Sequence, residues 1–268
     1  MIDTHTHVVA ADRQRYPLNP RNLSGQWYLE APHTAEELAA CMDEAGVDQA
    51  VLVQAVGAYT YDNAYAADAA AAHPGRFAGA CCIDAVANDA VETLRYWVSE
   101  RGMRGVRLFA LAREGTSWLS DPATFPLWEE ATHLGIHVIV TIFASQLDEL
   151  RGVLRRFPGT RVSLDHCAFP DAAAPDPLFE LASEANLLCK VSSVVLESAG
   201  DEAEPFVRAL VGRFGAERVM WGSDFCQTHD RSYAELVALA ERSFSGISSS
   251  ERERCFVTTP RSVWPGLR

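Results

Sequence analysis

No cluster of basic residues interrupts the 268-residue chain, and its formal net charge is −13. A phosphate backbone is bound by a stripe of Lys and Arg, so no nucleic-acid partner is expected. No apolar run comes near the roughly 20 residues that a membrane helix requires. No basic-then-apolar leader precedes the first strand pattern. No membrane association is therefore expected, and the expected location is cytoplasmic. Seven cysteines, odd in number and scattered, make no disulfide framework and fit reduced thiols. Cys167 and Cys226 lie within two residues of candidate site residues, yet nothing marks either as an activated thiolate. They read as packing residues. No glycine-rich phosphate loop follows any strand pattern, which leaves a doubly wound nucleotide-binding sheet without support. No repeat, low-complexity tract or linker divides the chain, so one domain over residues 1–268 is expected.

What is present begins at once. Ile2, Thr4 and Thr6 alternate with Asp3, His5 and His7, the period of a strand whose side chains point to opposite faces. His5 and His7 then share a face, where neutral imidazoles can hold one zinc-like ion or one substrate. Taken alone, two surface histidines near a terminus explain the pattern equally well. Partners occur far downstream: His166 in Leu-Asp-His-Cys and Asp224 in Gly-Ser-Asp-Phe, each at the end of a short apolar run.

Between these points strands and helices alternate. Thr34 with Glu37 reads as a capping box opening a helix to Glu44, stopped by Gly46. Strand patterns follow at Ala50–Gln54, Phe77–Ile83, Gly105–Phe109, His137–Phe143, Arg161–His166, Leu187–Val194 and Arg218–Ser223, with helical patterns between them. About eight such units close a (β/α)8 barrel of roughly 250 residues, and this is the expected fold. Active sites of such barrels lie at the C-terminal ends of the strands. His5, His7, His166 and Asp224 sit at strand ends, and Arg107 in the fourth strand; closure makes the first and eighth strands neighbours.

The motifs resemble a known family. Asp-Thr-His-Thr-His, Gly-Val-Arg-Leu-Phe, Arg-Arg-Phe-Pro-Gly-Thr-Arg-Val-Ser-Leu-Asp-His, Lys-Val-Ser-Ser and Arg-Val-Met-Trp-Gly-Ser-Asp-Phe occur in the order of the amidohydrolase superfamily. The branch is that of the sugar lactonases, pyrone dicarboxylate lactonase and sulfomuconolactonase. The resemblance implies a site of His5, His7, His166 and Asp224, with the aspartate orienting or deprotonating the attacking water. It departs in three places. The fifth strand carries no histidine at its C-terminal end, His137 being at the other end. The fourth strand ends without a lysine, which speaks against a binuclear centre; Lys190 is on the seventh. Val257-Thr258-Thr259-Pro260 replaces the usual Gly-Asn-Ala.

The expectation is therefore a hydrolase of a small, acidic lactone or ester. Asp224 acts as base, while His5, His7 and His166 polarise the carbonyl either directly or through one zinc or manganese ion. Metal-independent catalysis stands beside the metal-dependent form. Arg107 is the candidate for a substrate carboxylate or sulfonate, against a salt bridge or a place in the barrel's layers. Gln54, Tyr59, Trp27 and Tyr28 are candidates for lining the pocket, and His229 for reaching it from a loop. The loops Ala10–Pro32 and Ala110–Asp121 are expected to set specificity, the first as a cap over the first strand. Two alternatives remain: a metal-dependent decarboxylase of an aromatic or muconate-type acid, and a non-catalytic binding barrel. The expected partner is a small-molecule substrate, and a homo-oligomer is compatible with the sequence.

Overall fold

Runs such as Gln49–Val53 and His137–Thr141 are buried at every position, so they persist as strands only when both faces are covered. The computed structural model describes residues 1–20, 25–112 and 117–267; parts of both expected specificity loops, 21–24 and 113–116, lie outside the described residues. Eight strands form one sheet: β1 (Ile2–Thr6), β2 (Gln49–Val53), β3 (Phe77–Cys82), β4 (Gly105–Phe109), β5 (His137–Thr141), β6 (Val162–Leu164), β7 (Leu187–Ser192) and β8 (Val219–Gly222). Each pairs in parallel with the next. The chain beyond β8 returns to β1, where Thr6 bridges Phe225 and the Asp224 N–H donates to the His5 carbonyl at 2.8 Å. The architecture is the expected (β/α)8 barrel.

Helices cross between the strands on the outside. Thr34 and Glu37 form the reciprocal capping box that starts the helix Ala35–Glu44, and Ser232 with Glu235 does the same for Tyr233–Ser243. In Leu147–Arg156, Leu147, Leu150, Val153 and Leu154 bury one stripe at helical spacing. A short helix the sequence pattern did not separate, Ser193–Ala199, follows β7 directly; its Val194-Val195 pair reads as a continued strand. No described helix is long and apolar enough to cross a membrane.

One irregularity matters for the site. The pairing of β1 with β2 shifts register between Asp3 and Thr6. Strict alternation would put Asp3 on the face of His5, but Asp3 accepts a hydrogen bond from Tyr233 Oη at 3.0 Å on an outer helix. His5 faces the barrel interior. The closed end of the barrel is filled by the C-terminal tail, where Val263, Trp264 and Leu267 join Ile2, Val51, Ile139 and Met220 in one apolar cluster. Gly105 makes room for it: a Cβ there would stand 2.8 Å from the Trp264 ring.

Candidate active site

Three side chains from β1, β6 and β8 meet at the open end of the barrel. Ligand atoms of His5, His166 and Asp224 all lie within 4.8 Å of one another, and all three residues are buried. His166 follows β6 with φ 52°, and Asp224 follows β8 with φ 60°. The left-handed region is costly for residues with a Cβ, and such strain gathers where surrounding structure holds a site in one geometry. The turn continues this way through Cys167, Ala168 and Phe169, with φ of 50°, 62° and 53°. Gly222 permits the approach of β8 to β1, because a Cβ there would fall 2.5 Å from that of His5.

The hydrogen bonds constrain the imidazoles. The Val53 carbonyl can only accept, so His7 Nδ1 donates to it at 2.9 Å. His7 Nε2 then faces Asp224 Oδ1 at 3.2 Å. That contact is a hydrogen bond when the ring is doubly protonated, and otherwise two acceptors facing a shared cation. His166 Nδ1 bonds Ser192 Oγ at 2.8 Å, leaving Nε2 for the cavity. His5 Nε2 is buried, has no hydrogen-bond partner among the described residues, and lies 3.4 Å from Asp224 Oδ1.

Beneath them sits a carboxylate the sequence reading did not single out. Asp165 Oδ1 lies 2.7 Å from Lys190 Nζ and 3.3 Å from His5 Nδ1. Asp165 Oδ2 accepts from Arg107 Nε at 2.9 Å and Thr141 Oγ1 at 3.0 Å. Burial alone would raise the Asp165 carboxyl, but Lys190 above all, with His5 and Arg107, holds it well below the usual range. Burial lowers His5 well below the ordinary imidazole value and lowers His166 too, favouring neutral rings with available lone pairs. Burial also opposes ionisation of Asp224, yet the His7 hydrogen bond and the neighbouring imidazoles keep it below the carboxylate range.

This donor set suits one divalent cation of the zinc type. It offers two neutral imidazole nitrogens and one carboxylate, one nitrogen being an orphaned buried atom, with Asp165 behind His5 as an orienting carboxylate. His7 Nε2 stands 3.2 Å from Asp224 Oδ1, beside the mutual gathering of His5, His166 and Asp224.

A cavity of about 200 Å³ opens above, bordered by Arg107, Thr141, His166, Asp224 and Gln227 together with apolar residues. A larger groove of about 570 Å³, beside Arg101, Arg104 and Pro265, contains none of this acid–base chemistry. Other expected lining residues are engaged elsewhere. Gln54 donates its amide to the carbonyls of Asp62 and Thr60, tying down the loop after β2. Tyr59 Oη accepts from the Ala10 N–H at 2.8 Å. Trp27 packs behind His7 with ring centroids 5.6 Å apart, the part of the expected cap that is seen, and Tyr28 packs edge-on against it. His229 pairs with Glu30 at 3.1 Å, away from the site. Arg107 makes the salt bridge weighed for it, bonding Asp165 through Nε, and it also borders the cavity.

Lys190 is the chain's sole lysine, placed mid-strand in an apolar run, and that oddity was a readable signal. Asp165, adjacent to His166 at the same strand end, was another.

The family model for amidohydrolases matches residues 2–266. An L-fucono-1,5-lactonase of Burkholderia ambifaria is 29% identical over 237 residues, covering 84% of this chain and 79% of that protein. Among solved structures, a Pseudomonas putida protein provisionally assigned as a 2-pyrone-4,6-dicarboxylic acid hydrolase superposes with TM-score 0.80 at 25% identity, covering 98% of this chain and 96% of that one. An amidohydrolase of Burkholderia multivorans with bound zinc gives TM-score 0.80 at 24% identity, with 98% of both chains covered. From its second residue to its third from last, then, this chain is matched as one unit, and it belongs to the amidohydrolase family as a hydrolytic enzyme.

Proposed function

We propose that the enzyme hydrolyses a small lactone or carboxylic ester carrying an anionic group. The observation that carries this reading is the gathering of the Asp224 carboxylate with His5 and His166, where Asp224, His166 and Arg107 border one small cavity. A lactonase among the similar proteins supports it.

Arg107 is fixed through Nε by Asp165 and Thr141, and it presents its outer nitrogens to the substrate's anion, which sets the carbonyl face turned toward Asp224. Asp224, oriented by His7, takes a proton from the attacking water as the new C–O bond forms. It returns that proton to the ring oxygen as the ring C–O bond breaks, leaving an open-chain hydroxy acid. A carboxylate held this firmly ionised is a weak base. A divalent cation bound by His5, His166 and Asp224 would supply the missing acidity of the water and polarise the carbonyl.

Decarboxylases are also among the similar solved structures, at 14–16% identity and TM-scores of 0.71–0.74, a likeness that speaks for the fold alone. Thr141 ends β5 where that chemistry expects a histidine, and its hydroxyl donates to Asp165.

The test is metal content measured together with lactone hydrolysis before and after chelation. About one zinc or manganese per chain, with activity lost on chelation and restored by metal, is the expected result. Full activity in metal-free protein would contradict the ligand roles of His5 and His166, leaving the imidazoles to polarise the carbonyl directly.

A further inference from the structure

The walls of the cavity bear on which lactone it takes. Arg107 is the sole cation bordering the cavity among the described residues. Its Nε is committed to Asp165 and Thr141, and no described residue accepts from its two outer nitrogens. The Phe109 ring lies 5.0 Å from the guanidinium carbon and covers one face. The group is thus approachable along one edge, with room for one carboxylate held through two parallel hydrogen bonds.

The remaining described lining residues are Val56, Gly57, Phe109, Leu111, Phe169 and Val194. None offers a side-chain donor or acceptor. Phe169 lies flat against His166, with centroids 4.8 Å apart and planes at 24°, so its apolar face borders the reacting centre. Thr141 has its hydroxyl engaged between Arg107 and Asp165. Beyond His166 at the reacting centre, the described lining adds uncharged polar capacity only at Gln227, which leans on Asp224 at 3.5 Å.

From this distribution we infer that the substrate is a lactone with a single carboxylate and an otherwise apolar ring, and that the apolar wall discriminates against polyhydroxylated sugar lactones and against dicarboxylates. The inference rests on the lactone-hydrolase reading above and narrows it. A hydroxyl turned toward Val194 or Leu111 loses its water without finding a partner. A second carboxylate would meet the same wall, where the described residues supply no second cation. An apolar pocket rejects an added hydroxyl by up to about a hundredfold, and a polyol carries several.

The experiment compares kcat/KM of the full-length enzyme on three probes. These are 5-oxotetrahydrofuran-2-carboxylate as the monoanion, L-fucono-1,5-lactone as the polyol, and 2-pyrone-4,6-dicarboxylate as the dianion. The expected result is a preference for the monoanion of at least about a hundredfold over each of the others. Leu111→Asn should narrow its margin over the polyol at least tenfold by supplying the missing partner. Equal or better turnover of the polyol or the dianion would overturn the inference while leaving lactone hydrolysis intact. Failure to open any lactone, with carbon dioxide released from an aromatic acid instead, would overturn the hydrolase reading itself.

Discussion

Asp165 shows how much of the site depends on a residue that does not line the cavity. It lies between Lys190 and Arg107 and backs His5, and all four side chains are buried, so solvent screens these charges little. Removing one partner of a buried pair leaves the other charge uncompensated, at a cost of about 3–5 kcal/mol. Asp165→Asn should therefore lower stability by roughly that amount, because Lys190 remains buried. The double variant Asp165→Asn/Lys190→Met should regain part of the loss, since the orphaned ammonium is gone. Denaturant unfolding of the parent, both single variants and the double variant measures this. A double variant less stable than the sum of the singles would contradict the pairing. The same residue marks a boundary of sequence reading. His5, His166, Asp224 and Arg107 were recognisable because their chemistry and strand positions converge. Thr141 was not, because its role is to hold other side chains, and Asp165 was signalled only by its place beside His166. Gln54 and Tyr59 show the converse: both occupy positions near the end of β2 that suit a site, yet their polar groups are used on loop backbone.

The join of β1 to β8 brings His5 and Asp224 together, and Asp3 fastens it. Its Oδ1 accepts from the His5 N–H at 3.0 Å and the Ser223 N–H at 2.9 Å, while Oδ2 accepts from Tyr233. Burial nevertheless pushes its carboxyl up to about 6, from an ordinary value of 3.8. The folded state then keeps a proton that the unfolded chain releases between about pH 4 and 6, so this residue makes stability fall as pH rises through that window. Above pH 6 the penalty is constant, at roughly 3 kcal/mol for about two pKa units. Asp3→Asn keeps an oxygen acceptor for both N–H groups, and its amide nitrogen donates to Tyr233 Oη in place of accepting from it. Thermal midpoints of the variant against the parent should therefore diverge in the variant's favour from pH 4 to 6 and run parallel above. No change in their difference over that window would contradict the assignment. The strands were readable from their apolar runs to within a residue or two at most ends. The register shift in β1 was not, because alternation along a sequence cannot show where pairing slips. Nor was the helix Ser193–Ala199, whose β-branched start imitates a strand.

For the molecule as a whole, the two ends of the barrel divide the work. The open end carries strained backbone and buried charge, and the closed end is apolar and sealed by the tail. Trp264, fully buried at that seal, is expected to contribute about 3–5 kcal/mol when truncated to Ala, the range for removing a large core aromatic. Because it lies at the far end from Asp224, kcat at a temperature where the variant stays folded should match the parent. A large loss of kcat without loss of stability would show that the two ends are coupled. The eightfold alternation of strand and helix made this division legible in advance, since a closed barrel places every strand's C-terminal end at one mouth. The way the tail fills the other end depends on Gly105 and Trp264 meeting across some 160 residues, which no local pattern records.

The central claim is that Asp224 takes the proton of the attacking water. The most direct measurement is kcat/KM of Asp224→Asn on a lactone that the parent enzyme opens, with circular dichroism and thermal midpoint confirming the fold. The account predicts a loss of at least about a hundredfold in a normally folded protein, the scale for removing a positioned acid–base group. Near-parental turnover by that folded variant would contradict it and move the base to another residue.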